Sequence, residues 1–191
     1  MDRHTSQCAA VALGIVATVM SSAPGAQEDP LFGFVPPGGR SLLGELIGLG
    51  KVAAPDILAA DRSREAWRRF VEGLGDTGLD EVSKETLAAY LASTMPAGAK
   101  GGRSIDTGGT ALPRDGRDLT MEYCQSCHII TVVVTQDRSR EAWLGTMNKP
   151  SHVEIDTSAA EREAIADYLV LNGGIPIDDV PEELRAGGAT Y

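Results

Sequence analysis

Cys124-Gln125-Ser126-Cys127-His128 is a C-x-x-C-H in a chain of 191 residues that has three cysteines and three histidines. Two thiols at that spacing can add across the two vinyl groups of a haem, and an imidazole that follows at once can reach the iron. The chemistry is that of a covalent c-type haem site. Zinc binding and thiol redox chemistry compete for the same residues. Cys124, Cys127 and His152 make three sensible zinc ligands, His128 being too close to Cys127 to share a tetrahedral site easily. The βαβ pattern that supports a thioredoxin-like motif is missing.

The N-terminus bears on this choice through compartment. Arg3 and His4 precede an apolar run from Cys8 to Met20, followed by the small residues 21–26. This reads as a secretory signal peptide over 1–26, cleaved within Ala23 to Ala26, and the run is shorter than the roughly 20 residues that span a bilayer. Export to the periplasm removes Cys8 and leaves Cys124 and Cys127 alone. In an oxidising compartment they either close a disulfide or are consumed by a covalent cofactor, and His128 favours the cofactor.

The formal charge of −10 and a pI near 4.7 make nucleic acid a poor partner and offer nothing to an anionic membrane surface. An acidic redox protein suits a basic patch on its partner, although acidity also serves plain solubility. There is no Ser-His-Asp arrangement, phosphate-binding glycine loop or catalytic carboxylate cluster, so the chain is expected not to be an enzyme in its own right.

With one haem, His128 is the proximal iron ligand and the sixth position has three candidate donors. Met121, three residues before Cys124, is tied to the proximal side. Met147 is 19 residues beyond His128, and His152 is five further on. Met147 is preferred, because it directly follows a repeated helix, while His152 has polar neighbours. A thioether ligand implies a six-coordinate haem of raised potential that carries single electrons.

The elements that must position these groups come in two copies. Asp61-Arg62-Ser63-Arg64-Glu65-Ala66-Trp67 recurs as Asp137-Arg138-Ser139-Arg140-Glu141-Ala142-Trp143, 76 residues later. Each half then closes with an amphipathic helix whose buried stripe holds a tyrosine: Leu87, Tyr90 and Leu91, and Ile165, Tyr168 and Leu169. Ser158 with Glu161 forms a capping box, and Asn172-Gly173 ends that second helix. A further helix is expected from about Arg40 to Gly48. The expected fold is therefore all-α: a first unit at 27–96, a Gly-rich linker at 97–113, a second unit at 114–176 and an extended tail at 177–191 with at most one helical turn near Pro181 to Arg185. No strand pattern of useful length is seen. Ile129 to Thr135 is β-rich in composition but is read as wrapping the cofactor.

The duplication is an internal control. Aligned on the heptapeptide, Cys124, Cys127 and His128 fall opposite Gly48, Lys51 and Val52, so the first unit cannot hold haem in the same way. Met147 falls opposite Val71. Arg138, Arg140 and Trp143 are matched by Arg62, Arg64 and Trp67, so their expected task is starting and packing a helix, with contact to haem propionates as the alternative. From Trp143 to Ile165 is 22 residues against 20 from Trp67 to Leu87, so the second unit has the longer loop.

These residues resemble the class I cytochrome c family: C-x-x-C-H near the start of a small helical unit, a methionine afterwards, a last helix with Tyr168-Leu169, and Gly116 where the first and last helices of that family cross. The resemblance covers 113–176, and the short spacing to Met147 departs from it. More narrowly, Tyr123 before the motif, Arg138-Ser139, Trp143, Met147 and Glu161-Arg162 look like the small monohaem cytochrome subunits of periplasmic dehydrogenases, the sulfite dehydrogenase type above all. The class I resemblance implies one haem c on Cys124, Cys127, His128 and Met147, and with the duplication it gives two tandem cytochrome c-like units, the first without haem. The narrower resemblance implies a redox partner such as a dehydrogenase subunit and does not account for the haemless first half or the tail. The alternative is a haem-based ligand sensor with a displaceable sixth ligand.

Overall fold

The computed structural model describes residues 30–100 and 102–185; the expected signal peptide and the end of the tail lie outside them. The fold is mainly helical, and the repeat is visible in it. Helices α1 (Gly39–Gly48), α2 (Ala54–Ala59), α3 (Arg64–Gly73) and α4 (Glu81–Thr94) recur as α5 (Gly116–Tyr123), α6 (Thr131–Val134), α7 (Arg140–Met147) and α9 (Ala159–Asn172). One further turn of helix, α8 (Pro150–Val153), lies in the loop that is longer in the second half and has no counterpart in the first.

Local chemistry starts these helices where the sequence says they start. Ser63 and Ser139 each accept the backbone N–H three residues on, from Ala66 and Ala142. Ser158 and Glu161 form the reciprocal capping box, and Gly173 ends α9. The repeated arginines have matching tasks in both halves. Arg62 lies 4.7 Å from the ring of Trp67, and Arg138 lies 4.8 Å from that of Trp143. Arg64 pairs with Glu85, and Arg140 with Glu163 and Asp167, so each ties the third helix of its half to the last.

The segment expected to be a linker is partly ordered differently. Ser104–Thr107 (β1) and Thr110–Pro113 (β2) form an antiparallel hairpin through Gly108 and Gly109, whose φ values of +60° and +86° suit a two-residue turn. Leu112 is fully buried in the core of the first half. The boundary at the N-terminus also shifts. Val35 is buried in the core of the second half, with Phe32 and Phe34 against it. The tail is docked rather than extended: Val180 is buried, and the Thr131 hydroxyl on α6 donates to Leu184 O at 2.7 Å.

The halves grip each other reciprocally. The Tyr90 hydroxyl donates to Pro113 O at 2.8 Å, and the Tyr168 hydroxyl donates to Pro36 O at 2.6 Å. Each tyrosine thus bonds the residue three positions before the first helix of the other half. Asn172 on α9 donates to the Thr86 hydroxyl on α4 at 3.0 Å. Arg40 on α1 clamps Asp118 on α5 with two bonds, at 2.6 and 2.7 Å. These equivalences place α5 at 77 residues from α1, not 76. Cys124, Cys127 and His128 therefore stand opposite Ile47, Gly50 and Lys51, one residue from the expected register, and the first half still has neither thiol nor imidazole there.

Asp115, the N-cap of α5, is buried at this junction. Burial, then the neighbouring Asp118 carboxylate, push its carboxyl up to about 6 from the ordinary 3.8, against backbone N–H bonds from Asp118 and Arg40 that act the other way. Because the folded value is the higher one, the contribution to stability is full below about pH 4 and is lost as pH rises through about 6. The Asp115 carboxyl carbon is expected to titrate near pH 6 by NMR. Asp115→Asn should remove this fall from the stability profile between pH 4 and 6; an unchanged slope in the variant would contradict it.

Candidate functional site

The motif begins where α5 ends. Cys124 is the C-cap of that helix, and Cys124–Ser126 continue it as a turn of 3-10 helix. The backbone N–H groups of Cys127 and His128 both donate to Cys124 O, at 3.4 and 3.0 Å, so the two thiols and the imidazole ride on one tight turn. The cysteines are not joined to each other.

This turn forms one side of a cavity of about 470 Å³, within the range of cofactor pockets. Cys124, Cys127 and His128 line it. The aliphatic and aromatic wall comes from Val132 and Val133 on α6, Trp143 on α7, and Ile165 and Leu169 on α9. The β-branched run after the motif therefore folds as one turn of helix against the cavity, not as a strand. Met147 and His152 line the same cavity, so both proposed distal donors are brought to it. Met121 is not: it faces another hollow, and its sulfur takes a 3.5 Å contact from the Gln125 amide.

Electrostatics at the site fit a neutral thiol. Burial pushes the Cys124 thiol up to about 11, which is the opposite of an activated thiolate. Among the described residues no three His, Cys, Asp or Glu side chains are grouped to hold a metal ion by themselves, so Cys124, Cys127 and His152 do not converge as a tetrahedral zinc site. The donor set suits haem: two thiols and an imidazole on one turn, an apolar pocket beside them, and further donors among its lining residues.

The two repeated arginines separate here. Arg140 lies outside the cavity, held by Glu163 and Asp167. Arg138 lines it, donating to the Thr146 hydroxyl at 2.9 Å and stacking on Trp143. The indole N–H groups of Trp67 and Trp143 are both buried without a partner among the described residues, so this feature belongs to the shared packing and not to a ligand.

The first half shows what the same helices do without the motif. Val71, opposite Met147, is fully buried, with Trp67 and Ile57 in one closed core and Phe70 and Leu74 against it. Sequence reasoning passed over four polar groups at the cavity, Gln136, Thr146, Ser151 and Thr157. Ser151 sits beside His152, and its hydroxyl is 3.0 Å from His152 Nδ1; adjacency was the available signal.

No helix among the described residues is long and apolar enough to cross a membrane. No family model, no curated protein and no solved structure gives a match to this chain.

Proposed function

We propose that the protein is a periplasmic monohaem c-type cytochrome that transfers single electrons, its two halves being tandem cytochrome c-like units of which the first has no haem. The observation that carries this reading is the placement of Cys124, Cys127 and His128 together on one side of a largely apolar cavity of about 470 Å³. Attachment is redox-neutral: each thiol adds across a vinyl group, the sulfur and the thiol hydrogen going to its two carbons. When bound, the haem supplies a one-electron couple at iron. The chain's own residues fix its position through two thioethers, supply the proximal imidazole from His128, and exclude water from the inner face with Trp143, Ile165 and Leu169. A sixth ligand would come from the same cavity, whose lining holds both Met147, the donor expected from the sequence, and His152.

Cys127 and His128 are exposed, so the site has an edge at the surface through which an electron can pass to a partner. The acidic chain suits a partner with a basic docking face. A periplasmic dehydrogenase of the sulfite dehydrogenase type is the candidate that the motif resemblance names.

The test is expression in a host that matures c-type cytochromes. Haem that stays with the chain on a denaturing gel, one per chain, with a low-spin spectrum in both oxidation states, is the expected result. A ferrous form that is high-spin and binds carbon monoxide quickly would favour the ligand-sensor reading. A chain that carries no covalent haem would sink both.

A further inference from the structure

The duplication singles out His152 at the haem site. Met147 lies on α7 at the register of Val71 on α3, and Val71 is a core residue in a half without the motif. A large apolar side chain at that position is thus already explained by the packing common to both halves, and Met147 does pack against the second core. His152 has no such explanation. It lies on α8, the element that the first half lacks.

Geometry supports the same residue. The rings of His128 and His152 have centroids 6.4 Å apart with planes 24° from parallel. A metal–imidazole bond is about 2 Å long, so two imidazoles on opposite sides of one metal have ring centres roughly 6 Å apart, and the separation of this ring pair leaves room for one metal ion between them. The Ser151 hydroxyl lies 3.0 Å from His152 Nδ1. With Nδ1–H donating to it, Nε2 is left with its lone pair for a metal, the usual arrangement for a ligating histidine.

We infer that His152, and not Met147, is the sixth ligand, so that the haem is held between two imidazoles, His128 from the motif and His152 from α8. This rests on the covalent-haem reading above. It also predicts a lower potential than a Met-ligated haem would have, since thioether ligation raises it.

The test uses the mature holoprotein, with covalent haem first confirmed on a denaturing gel. The ferric protein should lack the long-wavelength charge-transfer band of a thioether on iron, and Met147→Leu should leave its low-spin spectrum unchanged. His152→Ala should turn the ferric haem high-spin, and added imidazole should restore the low-spin form. His152→Met should introduce the thioether band and raise the midpoint potential. A thioether band in the parent protein that Met147→Leu abolishes would overturn the assignment, as would a His152→Ala protein that stays low-spin without imidazole. A chain with no covalent haem would overturn the haem reading itself and this assignment with it, an outcome the gel separates from the spectroscopic ones.

Discussion

A Cys124→Ala/Cys127→Ala protein, produced under the same maturation conditions, should carry no covalent haem and should lose the ordered structure around the cavity. The effect follows from what the pocket would become. Without the group that fills it, the pocket admits water along its polar side near Gln136, Arg138 and Thr146, and the apolar faces of Trp143, Ile165 and Leu169 that line it lose the partner that would cover them. The short helices α6 and α8, of four residues each, both form part of this wall and should loosen first. The first half has no such dependence. Trp67, Val71, Leu43, Leu46 and Leu87 close its core without a cofactor, and the Arg68 contacts to Glu72, Glu81 and Glu85 lie on its surface. Hydrogen exchange should thus show protection kept in α3 and α4 and lost in α6 to α8. Protection retained throughout α6 to α8 in the cysteine-free protein would show that the cavity is stable in its own right and does not need a covalent cofactor.

Much of the site was legible because its signals are local. The C-x-x-C-H motif needs only its own spacing, and the Ser158–Glu161 box needs only three residues. The heptapeptide repeat also exposed Arg140 as a residue that ties helices together and does not belong to the site. What escaped depended on contacts distant in sequence. The hairpin at 104–113 was hidden because the glycine content of 97–113 outweighed the Thr107-Gly108-Gly109-Thr110 turn, and because Leu112 finds its core in helices far from it in sequence. The register error in the first helix pair arose because the heptapeptide anchors α3 on α7. A one-residue difference between the preceding segments moves α5 to 77. A second repeat, Pro36-x-x-Gly39-Arg40 and Pro113-x-x-Gly116-Arg117, carried the correct offset. The preference for Met147 rested on its place directly after the repeated helix; that His152 reaches the same cavity depends on α8, which the repeat does not cover.

That second repeat leads to the other large effect, in which a residue remote from the motif matters as much as one near it. A Cβ on Gly116 would lie 2.2 Å from Ala164 O and 2.5 Å from Tyr168 Cβ, and a Cβ on Gly39 would lie 2.2 Å from Tyr90 Cβ. These are backbone atoms or the first side-chain carbon, so neither contact can be relieved by turning a flexible side chain. The helices themselves must separate. Gly116→Ala should cost about 3 kcal/mol, the upper part of the usual range for overpacking, and lower the melting temperature by roughly 6–12 °C for a chain of this size. Gly39→Ala should cost a similar amount, although it lies in the half without the haem motif. Pushing α1 from α4 disturbs Tyr90, whose hydroxyl holds Pro113 just ahead of α5, and Arg40, whose guanidinium holds Asp118 on α5. Gly145→Ala is the control: its Cβ meets nothing within 4 Å on α7, and the gain in helix propensity should stabilise by up to about 1 kcal/mol. Thermal melts of the three holoproteins decide the matter, with the visible spectrum of Gly39→Ala expected to match the parent. If Gly39→Ala melted within about 1 °C of the parent while Gly116→Ala fell as expected, the reciprocal tyrosine and arginine contacts would not be coupling the halves. The first half would then be free to serve as a separate docking surface instead of a packing support.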